Sequence, residues 1–198
     1  AIAANTLQSM TSTLNATCNY ILSKITDEGV TFDVALAEAQ RNGFAEADPS
    51  LDVDGHDTAH KLALLTALAY GMEINLDDIY IEGISKITPM DIAFADQFGY
   101  RIKLLAIGKD RGDAVEARIH PTMIPFNNLL SNVNSTLNAI SVAGDAVGEI
   151  LLYGHGAGRM PTASAVVSDI VDIARDLLQE AGLGGSVVRI ALPDGPGS

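Results

Sequence analysis

Asp57 and Lys61 stand four residues apart, a spacing that places a carboxylate and an amine on one face of a helix. Just upstream, Glu46, Asp48, Asp52 and Asp54 accumulate in a stretch punctuated by Pro49 and Gly55, and Glu46 and Asp52 can fold back towards that face. A cation and several carboxylates would then converge. Lys61 also belongs to the apolar run KLALLTALAY, where partial burial would lower the amine's pKa and fit it for proton transfer near neutrality. Spacing alone favours an ordinary surface ion pair, worth roughly a few tenths of a kcal/mol, and it is the apolar setting of Lys61 that tilts the reading towards function.

The same residues contain a decoy. His56-Asp57-Thr58-Ala59-His60 imitates the zinc motif H-E-x-x-H, but Asp is a methylene shorter than the Glu of that motif, and neither His120 nor His155 has a spacing that names a third ligand. A calcium loop fails as well. With Gly55 as sixth residue of an EF-hand, Lys61 would occupy the twelfth, where a bidentate Glu is required. No metal site is assigned.

Two further clusters carry possible chemistry. Gly154-His155-Gly156-Ala157-Gly158 leads into Pro161-Thr162-Ala163-Ser164-Ala165, a glycine-rich approach to a helix whose free N–H groups suit an anion or a cofactor. A turn capped by Thr162 or Ser164 explains it as well. The chain has no G-x-G-x-x-G run and no P-loop, so it holds no complete nucleotide-binding unit. Asn15-Ala16-Thr17-Cys18-Asn19-Tyr20 opens another helix, where Thr17 suits a carboxylate and N-capping alone explains the segment almost as well. Cys18, with no paired histidine in sequence, reads as a small packing residue.

The elements that must position these residues follow from periodicity. Helical spacing predicts helices over Thr17–Glu28, closed by Gly29, and over Phe32–Arg41, closed by Asn42-Gly43. Ala45–Asp57 reads as an acidic loop, and Thr58–Tyr70 as a helix apolar nearly all round and therefore largely buried. Short β-like runs follow at Ile79–Ile84, Tyr100–Ile107, Ala114–Ile119 and Asn138–Val142, interrupted by a helix over Pro89–Phe98 with Thr88 as its cap. A last helix spans Thr162–Ala181. Strands and helices mix without strict alternation, so an α+β fold is expected, a mixed sheet packed with helices.

Composition bounds the rest. The 198 residues are 47% hydrophobic and 19% charged, as in an ordinary globular protein of one domain, and a formal net charge of −13 with no basic cluster excludes nucleic acid and anionic membrane as partners. A single cysteine points to a reducing, cytoplasmic setting. No apolar run approaches the roughly 18 residues of a spanning helix, and AIAANTLQSM has no basic n-region. Residues 1–183 are expected to form one domain cut from a longer enzyme, and residues 184–198, which end in LPDGPGS, a tail or linker.

Read in order, NATCNYILSKI, AEAQRNGFAEADPSLDVDGHDTAHKLALL, IEGISKITPMDIAFADQFGYRIKLLAI and YGHGAGRMPTASAVVSDIVDIAR resemble homoserine dehydrogenase, collinearly from about Asn5 to Arg175. The resemblance implies the central substrate-binding and dimerisation domain of that enzyme, without its N-terminal NAD(P)-binding domain. It implies reversible, NAD(P)-dependent interconversion of L-homoserine and L-aspartate 4-semialdehyde, a step of threonine, methionine and isoleucine biosynthesis, in a homodimer. By the same resemblance Lys61 exchanges the proton of the reacting hydroxyl or carbonyl, Glu46 and Asp57 hold the substrate with Asp52 close by, and Thr17 lies on the substrate side. Gly156, Gly158 and Thr162 match the segment that closes against the nicotinamide. Ala16, Phe44 and His155 depart from the Gly, Tyr and Pro common in the family's motifs: a methyl crowds one backbone approach and a hydroxyl is lost. The chain alone is expected to be inactive. The alternative is a non-enzymatic module that binds an amino acid or only assembles.

Overall fold

The computed structural model describes residues 4–72 and 74–180. The proposed tail, 184–198, lies outside them. The described residues fall into two compact units, divided between Gly156 and Ala157.

The first unit is built on a six-stranded mixed sheet in the order β2-β4-β3-β1-β5-β6. Its strands are β1 (Leu7–Thr13), β2 (Tyr80–Ile81), β3 (Tyr100–Asp110), β4 (Val115–Pro125), β5 (Leu137–Gly144) and β6 (Gly148–His155). All neighbours are antiparallel except β2 and β4, which run parallel. Among the described residues this unit has the α-helices α1 (Ala16–Glu28), α2 (Phe32–Arg41), α3 (Ser50–Val53), α4 (His56–Tyr70) and α5 (Pro89–Gln97), with short 3-10 turns at Leu76–Asp78 and Leu129–Asn132. The second unit, described by itself, contains α6 (Arg159–Glu180), with Val166, Ile170, Ile173 and Leu177 at helical spacing.

Local chemistry fixes the helix ends. Asn15 caps α1 by accepting from the Cys18 N–H at 2.8 Å, and Gly29 closes it in the left-handed region at φ 66°. Thr88 and Asp91 form a capping box on α5, with Pro89 at its first position. The main core lies between the helices and one sheet face, where Cys18, Ile21, Leu22 and Ile25 of α1 and Ala59 and Leu62 of α4 meet Met10, Leu104, Ala106 and Ile119. A smaller cluster on the other face gathers Leu105, Ile107, Ile124, Leu130, Val133 and Ala139.

Several expectations are corrected. The start of the chain, read without an element, supplies β1 at the centre of the sheet, and Gly148–His155 supplies β6. Ile79–Ile84 shrinks to the two residues of β2, while the third predicted strand extends to Pro125. The acidic loop contains α3, and α4 begins at His56. Nor is α4 buried all round: it packs through Thr58, Ala59, Leu62 and Thr66, while Leu64 is 68% and Leu68 84% exposed. Its alanines are small enough to read as apolar on every face without covering any face.

Candidate functional site

The C-terminal end of β1, the start of α1, α3 and the first turns of α4 meet at one place. Asn15 stands at its centre. While its Oδ1 caps α1, its Nδ2 donates to Asp52 Oδ1 at 2.7 Å and to Asp57 Oδ2 at 3.3 Å. Thr17, only 7% exposed, lies 2.7 Å from the Phe44 carbonyl and 3.1 Å from Asp52 Oδ2. Its hydroxyl has one proton for these two acceptors, so Thr17 is occupied in aiming the α3 segment. Lys61 Nζ donates to Asp57 Oδ2 at 2.6 Å and to the Leu14 carbonyl at 3.2 Å. Asp57 lies in the first turn of α4, where the helix dipole favours a carboxylate.

The backbone beneath α3 is held at close quarters. Ile84 N–H donates to the Val53 carbonyl at 2.8 Å, and a Cβ on Gly83 would lie 2.2 Å from that same oxygen, so only glycine fits. Asp52 is therefore fixed from below by β2's continuation and from the side by Asn15 and Thr17.

Of the residues expected from sequence, Thr17, Asp52, Asp57 and Lys61 are brought together. Glu46 is exposed, its backbone carbonyl accepts from Gln40 Nε2 at 2.9 Å, and its carboxylate makes no hydrogen bond or ion pair among the described residues. The burial of Lys61 is partial, its side chain being 46% exposed and that of Asp57 27%. Lys61 sits beside the packed stripe of α4, on the rim of the core, because the buried contacts run through Ala59, Leu62 and Thr66. Its chemistry thus rests on one carboxylate and one carbonyl that orient the amine, with water free to reach it. His56 and His60 are exposed, and among the described residues no group of three or more His, Cys, Asp or Glu is placed to hold a metal.

The glycine segment divides between the two units. Gly156 is packed so closely that an added Cβ would lie 2.0 Å from Asn138 Nδ2, whereas at Gly154 nothing lies within 4 Å. In the second unit Gly158, at φ 127°, accepts at 2.9 Å from the Thr162 N–H in the first turn of α6. Thr162 is therefore inside the helix, one turn later than an N-cap.

A model of the homoserine dehydrogenase family matches residues 1–171. The chain belongs to the homoserine dehydrogenase family. It is 49% identical to the homoserine dehydrogenase of Neisseria gonorrhoeae over 174 residues, 88% of this chain and 40% of that relative. With the Helicobacter pylori homoserine dehydrogenase it shares 52% identity over 174 residues, 88% of this chain and 41% of the relative. The crystal structure of a homoserine dehydrogenase from Thiobacillus denitrificans superposes at a TM-score of 0.87 with 47% identity, over 94% of this chain and 43% of that one. A hyperthermophilic archaeal homoserine dehydrogenase mutant, solved in complex with NADPH, superposes at 0.72 with 28% identity, over 86% and 48%. The chain spans about 40% of the length of the curated homoserine dehydrogenases it matches. The α+β mixed sheet expected from sequence is the fold these relatives share. No described helix is long and apolar enough to cross a membrane.

Sequence reasoning passed over Lys103. It is 2% exposed, and its Nζ donates to Asn19 Oδ1 at 2.9 Å, the Val133 carbonyl at 2.6 Å and Asn134 Oδ1 at 2.9 Å. A lysine inside the strand run YRIKLLAI was the available signal. Burial, and then the positive charge of Arg101, push its amine down to about 8, with Asp27 opposing. The folded state thus gives up this proton at lower pH than the unfolded chain. Between about pH 8 and the ordinary lysine value of 10.5 the unfolded state binds more protons, so this group makes stability rise with pH across that window. Denaturant melts of the wild type minus those of Lys103→Met should show this as a difference of up to about 1.4 kcal/mol per pH unit. A flat difference between pH 8 and 10.5 would rule out the lowered amine.

Proposed function

We propose that this chain supplies the substrate-binding half of an NAD(P)-dependent homoserine dehydrogenase, with residues 1–183 as its substrate-binding and dimerisation domain. Homoserine carries an ammonium, a carboxylate and a hydroxyl. Asp52 and Asp57 suit the ammonium through charge-assisted hydrogen bonds, Glu46 is an exposed carboxylate that would join them, and Lys61 Nζ suits the hydroxyl. The observation that carries this reading is the Asn15–Asp52–Asp57–Lys61 cluster, in which one amide holds two carboxylates and one of those orients the amine. On oxidation Lys61 Nζ, in its unprotonated form, takes the proton of the hydroxyl while the same carbon gives up a hydride and the carbonyl of aspartate 4-semialdehyde forms; in reverse the Lys61 ammonium returns the proton.

The residues present fit only the edge of a dinucleotide site. Gly156, Gly158 and Thr162 match the segment that in this family closes against the nicotinamide, but the run that grips a pyrophosphate is absent from the sequence. When bound, NAD(P) supplies the hydride acceptor. Everything assigned to this chain is positioning and proton handling.

The test joins this sequence to the nucleotide-binding domain of a relative. Homoserine-dependent reduction of NADP is expected from the joined protein and none from the 198 residues alone. A joined protein that binds nucleotide but leaves homoserine untouched would refute the reading and leave the non-enzymatic alternative.

A homodimer is the expected assembly. β6 is an edge strand with Leu152 62% and Tyr153 58% exposed, a template for pairing with a second copy. Light scattering at micromolar protein should give twice 20.7 kDa. A monomer at every concentration would move assembly to a different surface.

A further inference from the structure

Lys103 is the most deeply buried cation described, and no carboxylate lies against it. Its three ammonium protons go to three neutral oxygens, one on α1 and two in the segment that leads into β5. A buried charge of this kind is costly relative to an apolar side chain of the same volume, so packing alone does not account for it. A neutral amide in its place has too few protons for three acceptors.

The acceptors form one joint. Asn19, whose Oδ1 takes a Lys103 proton, donates through Nδ2 to the Val133 carbonyl at 2.9 Å and the Leu137 carbonyl at 3.0 Å. The Ser135 N–H donates to Ser23 Oγ at 3.1 Å, and Ser135, at φ 60°, is the one described non-glycine residue in the left-handed region. The 133–137 segment is therefore held in a strained course against α1 by side chains from α1 and β3. On one side of the joint, Asn19 lies one helical turn from Asn15, its N–H donating to the Asn15 carbonyl at 3.0 Å. On the other side, Asn138 follows directly and packs against Gly156.

We propose that Lys103 is a positioning residue for the homoserine site: by tying Asn19 to Val133 and Asn134 it fixes the start of α1, and so the Asn15 amide that holds Asp52 and Asp57. The inference rests on the function proposed above. Lys103 touches neither Asp57 nor Lys61, and it acts through Asn19 and Asn15. The charged groups that act on its amine are Arg101 on its own strand and Asp27 on α1, and the covering segment 127–137 carries no charge. When the amine loses its proton it retains two donors for three acceptors, and the joint loosens.

The test measures KM and kcat for homoserine against pH in the protein joined to a nucleotide-binding domain, for the wild type, Lys103→Met and Asn19→Asp. In the wild type KM should climb on the alkaline side with a midpoint near 8. Lys103→Met should raise KM about 10-fold at pH 7, the loss of one charge-assisted bond, with a smaller change in kcat and without that alkaline climb. Asn19→Asp places a carboxylate against the ammonium and should move the climb upward by about one unit or more. A purely structural lysine would lower the melting temperature and leave KM and its pH profile as they were; that result overturns the proposal. Should Lys103→Met fail to fold, Asn19→Asp decides: an unmoved profile overturns it, a moved one supports it. No homoserine turnover in the wild type refutes the function reading itself, which is distinct from turnover with unaltered variants.

Discussion

Lys61→Ala in this sequence joined to a relative's nucleotide-binding domain should lower kcat for homoserine oxidation by about 10²-fold or more, within the roughly 10²–10⁴ typical of a general acid–base group. KM should change far less. The 2.6 Å contact with Asp57 Oδ2 and the 3.2 Å contact with the Leu14 carbonyl hold the amine at one place, so removing it leaves the carboxylates and their amide intact. Lys61→Arg should not restore the rate: a guanidinium keeps its proton at any working pH, and its planar fork does not reproduce the point contact of an ammonium. Steady-state rates with both variants decide the matter. A kcat for Lys61→Ala near that of the wild type would reduce the pair to a surface ion pair.

Asp57→Asn should act chiefly on KM. The amide keeps the shape of the side chain but loses a charge-assisted hydrogen bond to the substrate ammonium, worth about 1.5–3 kcal/mol, or about 10- to 100-fold in KM. A smaller fall in kcat is expected too, because Asp57 orients Lys61. His56→Ala, on an exposed side chain beside it, should do little, and chelators should not inhibit. A zinc site on this helix predicts the reverse pattern: inhibition by chelators, one zinc per chain, and equal damage from His56 and His60. That pattern would remove Asp57 from the substrate site.

Much of this site is legible in the sequence because it is local. Asp57 and Lys61 are one helical turn apart, and the helix that presents them announces itself by its apolar spacing. Asn15 was visible only as a helix cap. Its second role, donating across 37 residues to Asp52, depends on where β1 ends relative to α3, which no spacing reveals. Glu46 sits in the densest acidic stretch, but charge density does not fix direction, and the bond by which Gln40 holds the backbone there is supplied only by the fold. β1 escaped notice because LQSMTST mixes polar and apolar residues, and its helix-side face is made by Met10 and the small Ser12. β6 was obscured by the glycines that follow it. Lys103 was hidden by the habit of placing lysines at the surface: its partners lie 84, 30 and 31 residues away, and only the folded joint turns a charge in an apolar strand into three satisfied hydrogen bonds.

The most direct measurement replaces the corresponding segment of the Thiobacillus denitrificans homoserine dehydrogenase with residues 5–175 of this chain and follows NADP reduction with L-homoserine. The hybrid should turn over homoserine, and Lys61→Ala within it should lose about 100-fold or more in kcat while still binding nucleotide. A folded hybrid that binds nucleotide and never oxidises homoserine, or one in which Lys61→Ala is fully active, would contradict the assignment of proton exchange to this lysine.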